Sequence, residues 1–374
     1  MADTVRRVVI LGSTGSIGRQ ALDVVAAHPD RFEVAGLVAG SDHDALREQA
    51  ASFPHAATGL GPDAAVAMAR SPNADVILNA IVGAAGLRAS IAALEEGKSL
   101  ALANKESLVA GGELCLAAAR RGRGRIVPVD SEHAAVAQCL SGIDRDEIAR
   151  VVLTASGGPF RTRADLGSVT VEDALSHPTW TMGPKITVDS ATLMNKGLEI
   201  IEAHFLFGLD YERLDVVVHP QSIVHGIVEF ADGSMLMQAA PTDMRIPIQA
   251  ALSFPDRIES SLPPPDLAAI GSLEFEPVDH GRFPCVRLAR DAGVKGGSFP
   301  AALNAANEAA VEAFLAGRVK FLEIPAIMEE VLDQHEATDA DDLDTVLDVD
   351  AWARARARDG IARRTGTSPV EEGR

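Results

Sequence analysis

The sequence is short of aromatic residues, of cysteine and of positive charge. Among 374 residues there are one tyrosine and two tryptophans, too few for the stacking platform on which single-stranded nucleic acid lies. Lysine and arginine total 34 against 53 aspartates and glutamates, and the formal net charge of −19 repels phosphodiester backbones and anionic lipid surfaces. Nucleic acid and membrane partners are therefore not expected, and any phosphate ligand must be captured by local donors against the overall field. Cys115, Cys139 and Cys285 are scattered, odd in number and without a Cys-x-x-Cys pair. That disfavours a disulfide framework and a zinc knuckle, and fits a reducing cytoplasm. No apolar run is long enough to span a bilayer. Residues 1–7 lead directly into VVILGSTG, so no separate signal sequence is expected.

What is present is ordinary for a folded protein, at 47% hydrophobic and 23% charged, and the length predicts two or three domains. Over the first third, RRVVILG, FEVAGLVAG, ADVILNAIVG, GKSLALAN and GRIVPVD read as strands separated by Ala-rich segments of helix length. That alternation predicts an α/β domain, a Rossmann-like doubly wound parallel sheet, over residues 1–129. Residues 130–242 read as a central α+β domain whose strands are DVVVHP, HGIVEF and SMLMQAA and whose sheet is open on one face. Within it HPTWTMG, near 174–184, has the Pro and Gly brackets of a mobile loop with an apolar tip at Trp180 and Met182. The Pro-rich passage at 243–279 reads as a linker. Residues 280–374 read as a small helical domain ending in a polar tail, RRTGTSPVEEGR, expected to be disordered.

Three stations carry the chemistry. In ILGSTGSIGRQALDVV, Gly12, Gly15 and Gly18 lie between a strand and a helix, where Thr14, Ser16 and Ile17 can offer N–H groups to a pyrophosphate; the alternative is a tight turn without a ligand. In VPVDSEHAAV, Asp130 and Glu132 are two apart, so an extended segment aims both carboxylates at one point. Like charges held together need a cation such as Mg2+ or Mn2+ between them. The competing role is a helix N-cap, and the two are compatible. The third station runs from TASGGPF to DSATLMNKGLE, where Ser156, His177, Ser190, Asn195 and Lys196 are donors of the kind that enclose a phosphate monoester. DSATLMNKGLEIIEAHF, residues 189–205, reads as one amphipathic helix, with Asn195, Lys196 and Glu199 along one flank and Leu193, Met194, Leu198 and Ile201 inward. Glu199 is then a third carboxylate for the same ion, although a Lys–Glu pair three apart is also an ordinary surface feature.

Taken together and in this order across residues 12–225, GSTGSIG, NKES, DSEH, SGGPF, HPTWTMG, DSATLMNKGLE and HPQSIVH closely resemble the 1-deoxy-D-xylulose 5-phosphate reductoisomerase family. The helical C-terminal part resembles it less specifically. The resemblance implies NADPH-dependent conversion of a phosphorylated deoxyketose, 1-deoxy-D-xylulose 5-phosphate, to 2-C-methyl-D-erythritol 4-phosphate in isoprenoid precursor synthesis, by retro-aldol cleavage, aldol recombination and hydride reduction. It also implies a homodimer formed through the central domain and inhibition by phosphonohydroxamates of the fosmidomycin type. Carried over position by position, Asp130, Glu132 and Glu199 ligate the metal, and Ser156, Ser190, Asn195 and Lys196 hold the phosphate. Lys105, Ser131 and His177 meet the substrate, and Lys105, Glu132 and His177 are the expected catalytic groups. The proton is handled by Glu132 or by a metal-bound water, with no choice between them. The cofactor positions are Thr14, Gly15, Ser16, Ile17, Gly40, Asn104, Glu106 and Gly183, while His225 matches a family histidine of less definite role.

The segment after the second strand departs from the family pattern. Where a basic or amide residue often meets the ribose 2'-phosphate, this chain reads Gly40, Ser41, Asp42, His43, Asp44. Acidic groups there suit the free hydroxyl of NADH; Ser41, His43 and Arg47 are the available donors, so NADPH is expected with a narrowed margin. Two other classes compete. A simple nicotinamide dehydrogenase acting on a small hydroxy acid explains the glycine turn but not three carboxylates beside a Ser/Asn/Lys cluster. A nucleotide-binding regulator would be expected to have lost a carboxylate, and all three are present.

Overall fold

A computed structural model of the chain describes residues 5–366. Its first unit is a six-stranded parallel sheet made of β1 (Arg6–Leu11), β2 (Phe32–Ala39), β3 (Ala57–Leu60), β4 (Val76–Asn79), β5 (Ser99–Leu102) and β6 (Arg125–Pro128), in the order β3-β2-β1-β4-β5-β6. Helices α1 (Ser16–Ala27), α2 (His43–Ser52), α3 (Gly61–Ala69), α4 (Leu87–Glu95) and α5 (Lys105–Gly122) connect the strands. Val8 to Leu11 are buried on both faces, as a central strand covered by helices on each side requires. Five of the six strands follow the β-branched runs, while β3, an edge strand of sequence ATGL with little buried side chain, has no such run.

The turn from β1 to α1 depends on its glycines. Gly12 has φ +81°, and a Cβ there would lie 2.6 Å from the carbonyl oxygen of Ala80; a Cβ on Gly18 would lie 2.4 Å from that of Gly12. The first turn of α1 is thereby drawn against the end of β1.

The second unit holds α6 (Ser131–Cys139), β7 (Ile148–Ala155), α7 (Val171–Leu175), α8 (Pro184–Ala191), α9 (Met194–Phe207), β8 (Leu214–Val218), β9 (Val224–Phe230) and β10 (Met235–Ala239). With β11 (Glu276–Pro277), which follows α10 (Arg245–Ser253) and α11 (Leu267–Ile270), the strands form a mixed sheet of order β10-β9-β7-β8-β11. Helices α6 and α9 cover one face, and the other carries a small cluster of Val152, Val224 and Ile227. Its central strand, β7, arises from IARVVLTA, a β-branched run that the pattern reading passed over.

The segment 189–205 is not one helix. α8 ends at Ala191 and α9 begins at Met194, with Leu193 in the left-handed region at φ 59°. The Thr192 hydroxyl explains the break: it bonds back to the carbonyls of Val188 and Asp189 and accepts the N–H of Met194 at 3.3 Å, competing with the helical pattern. The passage expected to be a linker contains α10, whose Ile248, Ala251 and Leu252 pack into the first unit's core beside α1. Proline at Pro247 is tolerated because it falls in that helix's first turn.

Helices α12 (Cys285–Lys295), α13 (Phe299–Leu315), α14 (Glu323–Gln334) and α15 (Leu343–Thr365) complete the fold. α13 is buried along nearly its whole length by α14 and α15, and touches α5 and α8 behind the pocket described below. Arg363 to Thr365, placed in the expected disordered tail, belong to α15, where Arg363 and Arg364 both bond Glu330; residues 367–374 of that tail lie outside the described residues. No helix among the described residues is long and apolar enough to cross a membrane.

Candidate active site

The carboxyl ends of β1, β5 and β6, the start of α6, the end of β7 and the segment 177–196 surround one pocket of about 1070 Å³, its open mouth included. Its wall brings together Ser16, Ile17, Lys105, Asp130, Ser131, Glu132, Ser156, His177, Gly183, Ser190, Asn195, Lys196 and His225, with Trp180 and Met182. Glu199 is fully buried beneath it. Thr14, Gly15, Gly40, Ser41, Asp42, Asn104 and Glu106 are not in the wall. Among them, Thr14 and Gly15 follow β1, and Gly40 to Asp42 follow the neighbouring β2, along the same edge of the sheet. The wall also contains Gln20, Thr154, Ser222 and Met244, which sequence reasoning missed. Ser222, with φ 53°, lies within the HPQSIVH motif, which is the signal that could have found it.

The carboxylates lie differently from the extended-segment picture. Asp130 is the N-cap position of α6, and Glu132 is in that helix's first turn. Asp130 makes no side-chain cap; its carboxylate pairs with the Lys105 ammonium. Lys105 also lies 3.2 Å from Glu199 and donates to Asn195 Oδ1 at 2.7 Å. Lys196, expected among the phosphate donors, lies in the pocket wall and bridges Glu132 at 2.8 Å and Glu199 at 2.5 Å, so the Lys196–Glu199 pair is internal rather than a surface pair. Ser131 Oγ donates to Glu132 Oε2 at 2.6 Å, and Asn195 Nδ2 to Glu199 Oε1 at 2.5 Å.

Three acids and two ammonium groups thus share a small volume, and their protonation diverges. Burial works against the Asp130 and Glu132 carboxylates, but Lys105 beside the first and Lys196 beside the second hold both below the usual carboxylate range. Glu199, the most deeply buried of the three, is pushed up to about 7 by burial and then by the charge of Glu132, against the pull of both lysines. Asp130, His133 and Glu199 offer ligand atoms within 4.8 Å of one another. His133, however, is stacked on Phe207, holds the Glu199 carbonyl through Nε2 at 2.9 Å and does not reach the pocket. Glu132 does reach it. The oxygen set of Asp130, Glu132 and Glu199 is therefore the one that suits a hard divalent cation.

Across the pocket, His177 Nε2 lies 3.0 Å from Ser156 Oγ and 3.1 Å from Ser190 Oγ. Its Nδ1 accepts the backbone N–H groups of Thr179 and Trp180, at 3.2 and 2.9 Å. An accepting Nδ1 assigns the proton of the neutral ring to Nε2, which points between the two hydroxyls. Burial lowers the His177 pKa to about 4, so the ring is neutral near pH 7. Trp180 meets His225 edge-on, with ring centroids 6.2 Å apart, and both line the pocket.

On the cofactor side, Asp42 caps α2 by accepting the Ala45 N–H at 3.0 Å, and Arg47 pairs with Asp44 at 2.7 Å. Asn104 and Glu106 face away from the pocket. Asn104 donates to the Gly83 carbonyl at 2.8 Å and to Glu106 at 3.1 Å, and Glu106 takes the Lys185 ammonium at 2.8 Å.

Family models match this chain along most of its length: 1-deoxy-D-xylulose 5-phosphate reductoisomerase over residues 8–58 and 54–112, the C-terminal domain of the same name over 126–207, and the DXP reductoisomerase C-terminal domain over 239–356. The chain is 54% identical to the 1-deoxy-D-xylulose 5-phosphate reductoisomerase of Mycobacterium tuberculosis strain H37Rv, covering 96% of this chain and 92% of that one. It is 53% identical to that of Leifsonia xyli subsp. xyli, covering 95% and 98%. Among solved structures it resembles the Zymomonas mobilis enzyme in complex with NADPH, at 40% identity and TM-score 0.88, covering 96% and 99%. It also resembles a DOX-P reductoisomerase in complex with NADPH, fosmidomycin and magnesium, at 38% identity and TM-score 0.93, covering 97% and 100%. Identity of this extent, carried over nearly the full length of both partners, means that the chain belongs to the 1-deoxy-D-xylulose 5-phosphate reductoisomerase family.

Proposed function

We propose that this chain converts 1-deoxy-D-xylulose 5-phosphate to 2-C-methyl-D-erythritol 4-phosphate with NADPH and a divalent cation, Mg2+ or Mn2+. The observation that carries the reading is the meeting, in one pocket, of Asp130 and Glu132 with the Ser156, His177 and Ser190 donors, with Glu199 of α9 directly beneath and the glycine turn of a parallel sheet beside it. The acids fit a cation because they are oxygen donors whose charges are compensated in this structure by Lys105 and Lys196. Asp130, Glu132 and Glu199 would hold it, and when bound it supplies Lewis acidity toward the substrate's ketone and neighbouring hydroxyl. NADPH would lie along the turn from Gly12 to Ile17, with Gly40 to Asp42 near the ribose and Asn104, Glu106 and Gly183 toward the other end; it supplies the hydride.

The chain's own residues orient and stabilise. Ser156 and Ser190 hydroxyls and the His177 Nε2–H converge where a phosphate monoester can accept hydrogen bonds, and Asn195 stands beside them. Phosphate held several atoms from the reacting carbons contributes by fixing their position, so its binding energy appears in turnover as well as affinity. Lys105 stabilises negative charge as the carbon skeleton is cleaved and rejoined in the retro-aldol and aldol sense. Glu132, an ionised carboxylate hydrogen-bonded by Ser131, would act as a base that takes up a proton. Trp180 and Met182 exclude water from the rearranging fragments.

The same reading extends to surroundings. The edge strand β10 leaves Met235, Leu236 and Met237 about half exposed, an unpaired apolar edge that a second copy of the chain would cover in a homodimer. Three free thiols accord with a cytoplasmic location. Fosmidomycin-type phosphonohydroxamates should inhibit, since a phosphonate meets the same donors as the phosphate. The test follows NADPH absorbance with 1-deoxy-D-xylulose 5-phosphate, with and without Mg2+ or Mn2+. Metal-dependent oxidation supports the proposal; metal-independent oxidation of ordinary hydroxy acids, or NADPH binding without turnover, overturns it.

A further inference from the structure

Lys185 takes part in no wall of the pocket, yet it stands directly behind two of them. Along α8, Gly183, Ile186 and Ser190 face the pocket while Lys185 and Asp189 turn away from it; on the other side Ala103 and Lys105 face inward while Asn104 and Glu106 turn away. The outward groups meet. The Lys185 ammonium lies 2.8 Å from Glu106 and 2.9 Å from Asp189, with both carboxylates almost wholly enclosed. Asp189 also accepts the Asn307 side-chain N–H of α13 at 2.9 Å. Burial opposes the charge on Lys185, but Asp189 and Glu106 overcome it and raise its pKa above that of a free lysine. One ammonium therefore ties the start of α5, the start of α8 and, through Asp189, the C-terminal helices.

We propose that Lys185 is a positioning residue: it sets the separation between the cofactor-side wall at 103–105 and the phosphate-side wall at 183–190, with Asn307 anchoring the pair to α13. The inference rests on the reading of the pocket as one site for NADPH and a phosphorylated substrate. When Lys185 is lost, Glu106 alone among the proposed NADPH groups loses its cation, and the glycine turn from Gly12 to Ile17 and the Ser156, His177 and Ser190 donors remain, so each ligand is still held. What is lost is the alignment of the two, and a displacement of about 1 Å remote from the chemistry costs roughly 10²-fold in rate.

The experiment compares Lys185→Met and Lys185→Arg with the parent in the full chain. It measures NADPH affinity by cofactor fluorescence, and kcat per NADPH-binding site with 1-deoxy-D-xylulose 5-phosphate, Mg2+ and either ordinary or transferable-deuterium NADPH. Counting rate per binding site removes any unfolded fraction. For Lys185→Met, kcat is expected to fall about 10²-fold and the deuterium isotope effect to rise, while NADPH affinity stays within about threefold of the parent. Lys185→Arg, which can still span both carboxylates, recovers most of the rate. A Lys185→Met enzyme with unchanged kcat and isotope effect, or one whose rate falls only in step with NADPH affinity, overturns the proposal. Should that variant not fold, Asn307→Ala decides: a lower kcat with NADPH affinity retained supports the pin, and an unchanged kcat overturns it. Absence of turnover in the parent would instead refute the proposed function, so the two failures are distinct.

Discussion

Proton competition at Glu199 makes a quantitative prediction about metal affinity. Burial and the neighbouring Glu132 charge raise this carboxyl to about 7, whereas Asp130 and Glu132 stay ionised because Lys105 and Lys196 hold them low. A cation ligated by Glu199 must expel its proton, so binding weakens as pH falls through about 7. At about pH 6 only some one-eleventh of the sites have Glu199 ionised, against about nine-tenths at about pH 8, so Mn2+ affinity should be about tenfold weaker at the lower pH, or ~1.4 kcal/mol. Stability of the metal-free protein runs the other way. The folded pKa is raised from 4.5 to about 7, so this group's contribution is complete below 4.5 and is lost as pH rises to about 7. Free Mn2+ counted by electron paramagnetic resonance, at fixed ionic strength and without substrate, gives the affinity directly. Glu202, also raised to about 7 by burial, titrates in the same range, so Glu202→Gln should keep the slope and Glu199→Gln should abolish it along with tight binding. A flat affinity across this range, or a slope that disappears with Glu202→Gln instead, would refute the assignment of Glu199 as a ligand.

Other perturbations have equally definite outcomes. Lys196→Ala strands two buried carboxylates and should cost the metal-free protein about 3 kcal/mol, read as a lower denaturation midpoint; an unchanged midpoint would mean Lys196 does not bridge them. Ser156→Ala removes one donor beside His177 and should raise the apparent substrate dissociation constant by about one to two decades, the range for a hydrogen bond to a charged group, whereas an effect on NADPH alone would place the phosphate elsewhere. Trp180→Ala should lower turnover and leave Tm nearly unchanged, since the ring contacts His225 at the pocket and is only half-buried; a large fall in Tm would make Trp180 a core anchor. Asp42→Asn should raise the ratio of kcat/KM for NADPH over NADH, because asparagine can keep the cap on α2 while removing a negative charge; an unchanged ratio would mean that Asp42 points away from the ribose.

Local signals were the legible part of this chain. Glycines set by steric contact, as at Gly12 and Gly18, and β-branched runs with helix-length spacing carry their own physics, so five of the six strands and the parallel, doubly wound class could be read. The missed features depend on partners distant in sequence or on competition between local bonds. Nothing in the four residues of β3, ATGL, marks them as a strand until β2 is beside them. The break between α8 and α9 carries no Gly or Pro; it depends on Thr192 turning its hydroxyl back on the helix. The bridge that Lys196 makes to Glu132 was not legible, because Glu132 lies 64 residues away on α6 and meets α9 only in the folded chain. Nothing local to Lys185 marks it, since its partner Glu106 is 79 residues away on α5.

The central claim is that the pocket rearranges a carbon skeleton before reducing it, and the product's connectivity tests that most directly. Purified protein, Mg2+, NADPH and 13C-labelled 1-deoxy-D-xylulose 5-phosphate would be followed by NMR, with a parallel sample in excess chelator. The account predicts branched 2-C-methyl-D-erythritol 4-phosphate formed mole for mole with NADPH oxidised, and no product in the chelated sample. A straight-chain deoxypentitol phosphate, or NADPH oxidation that persists in chelator, would contradict it.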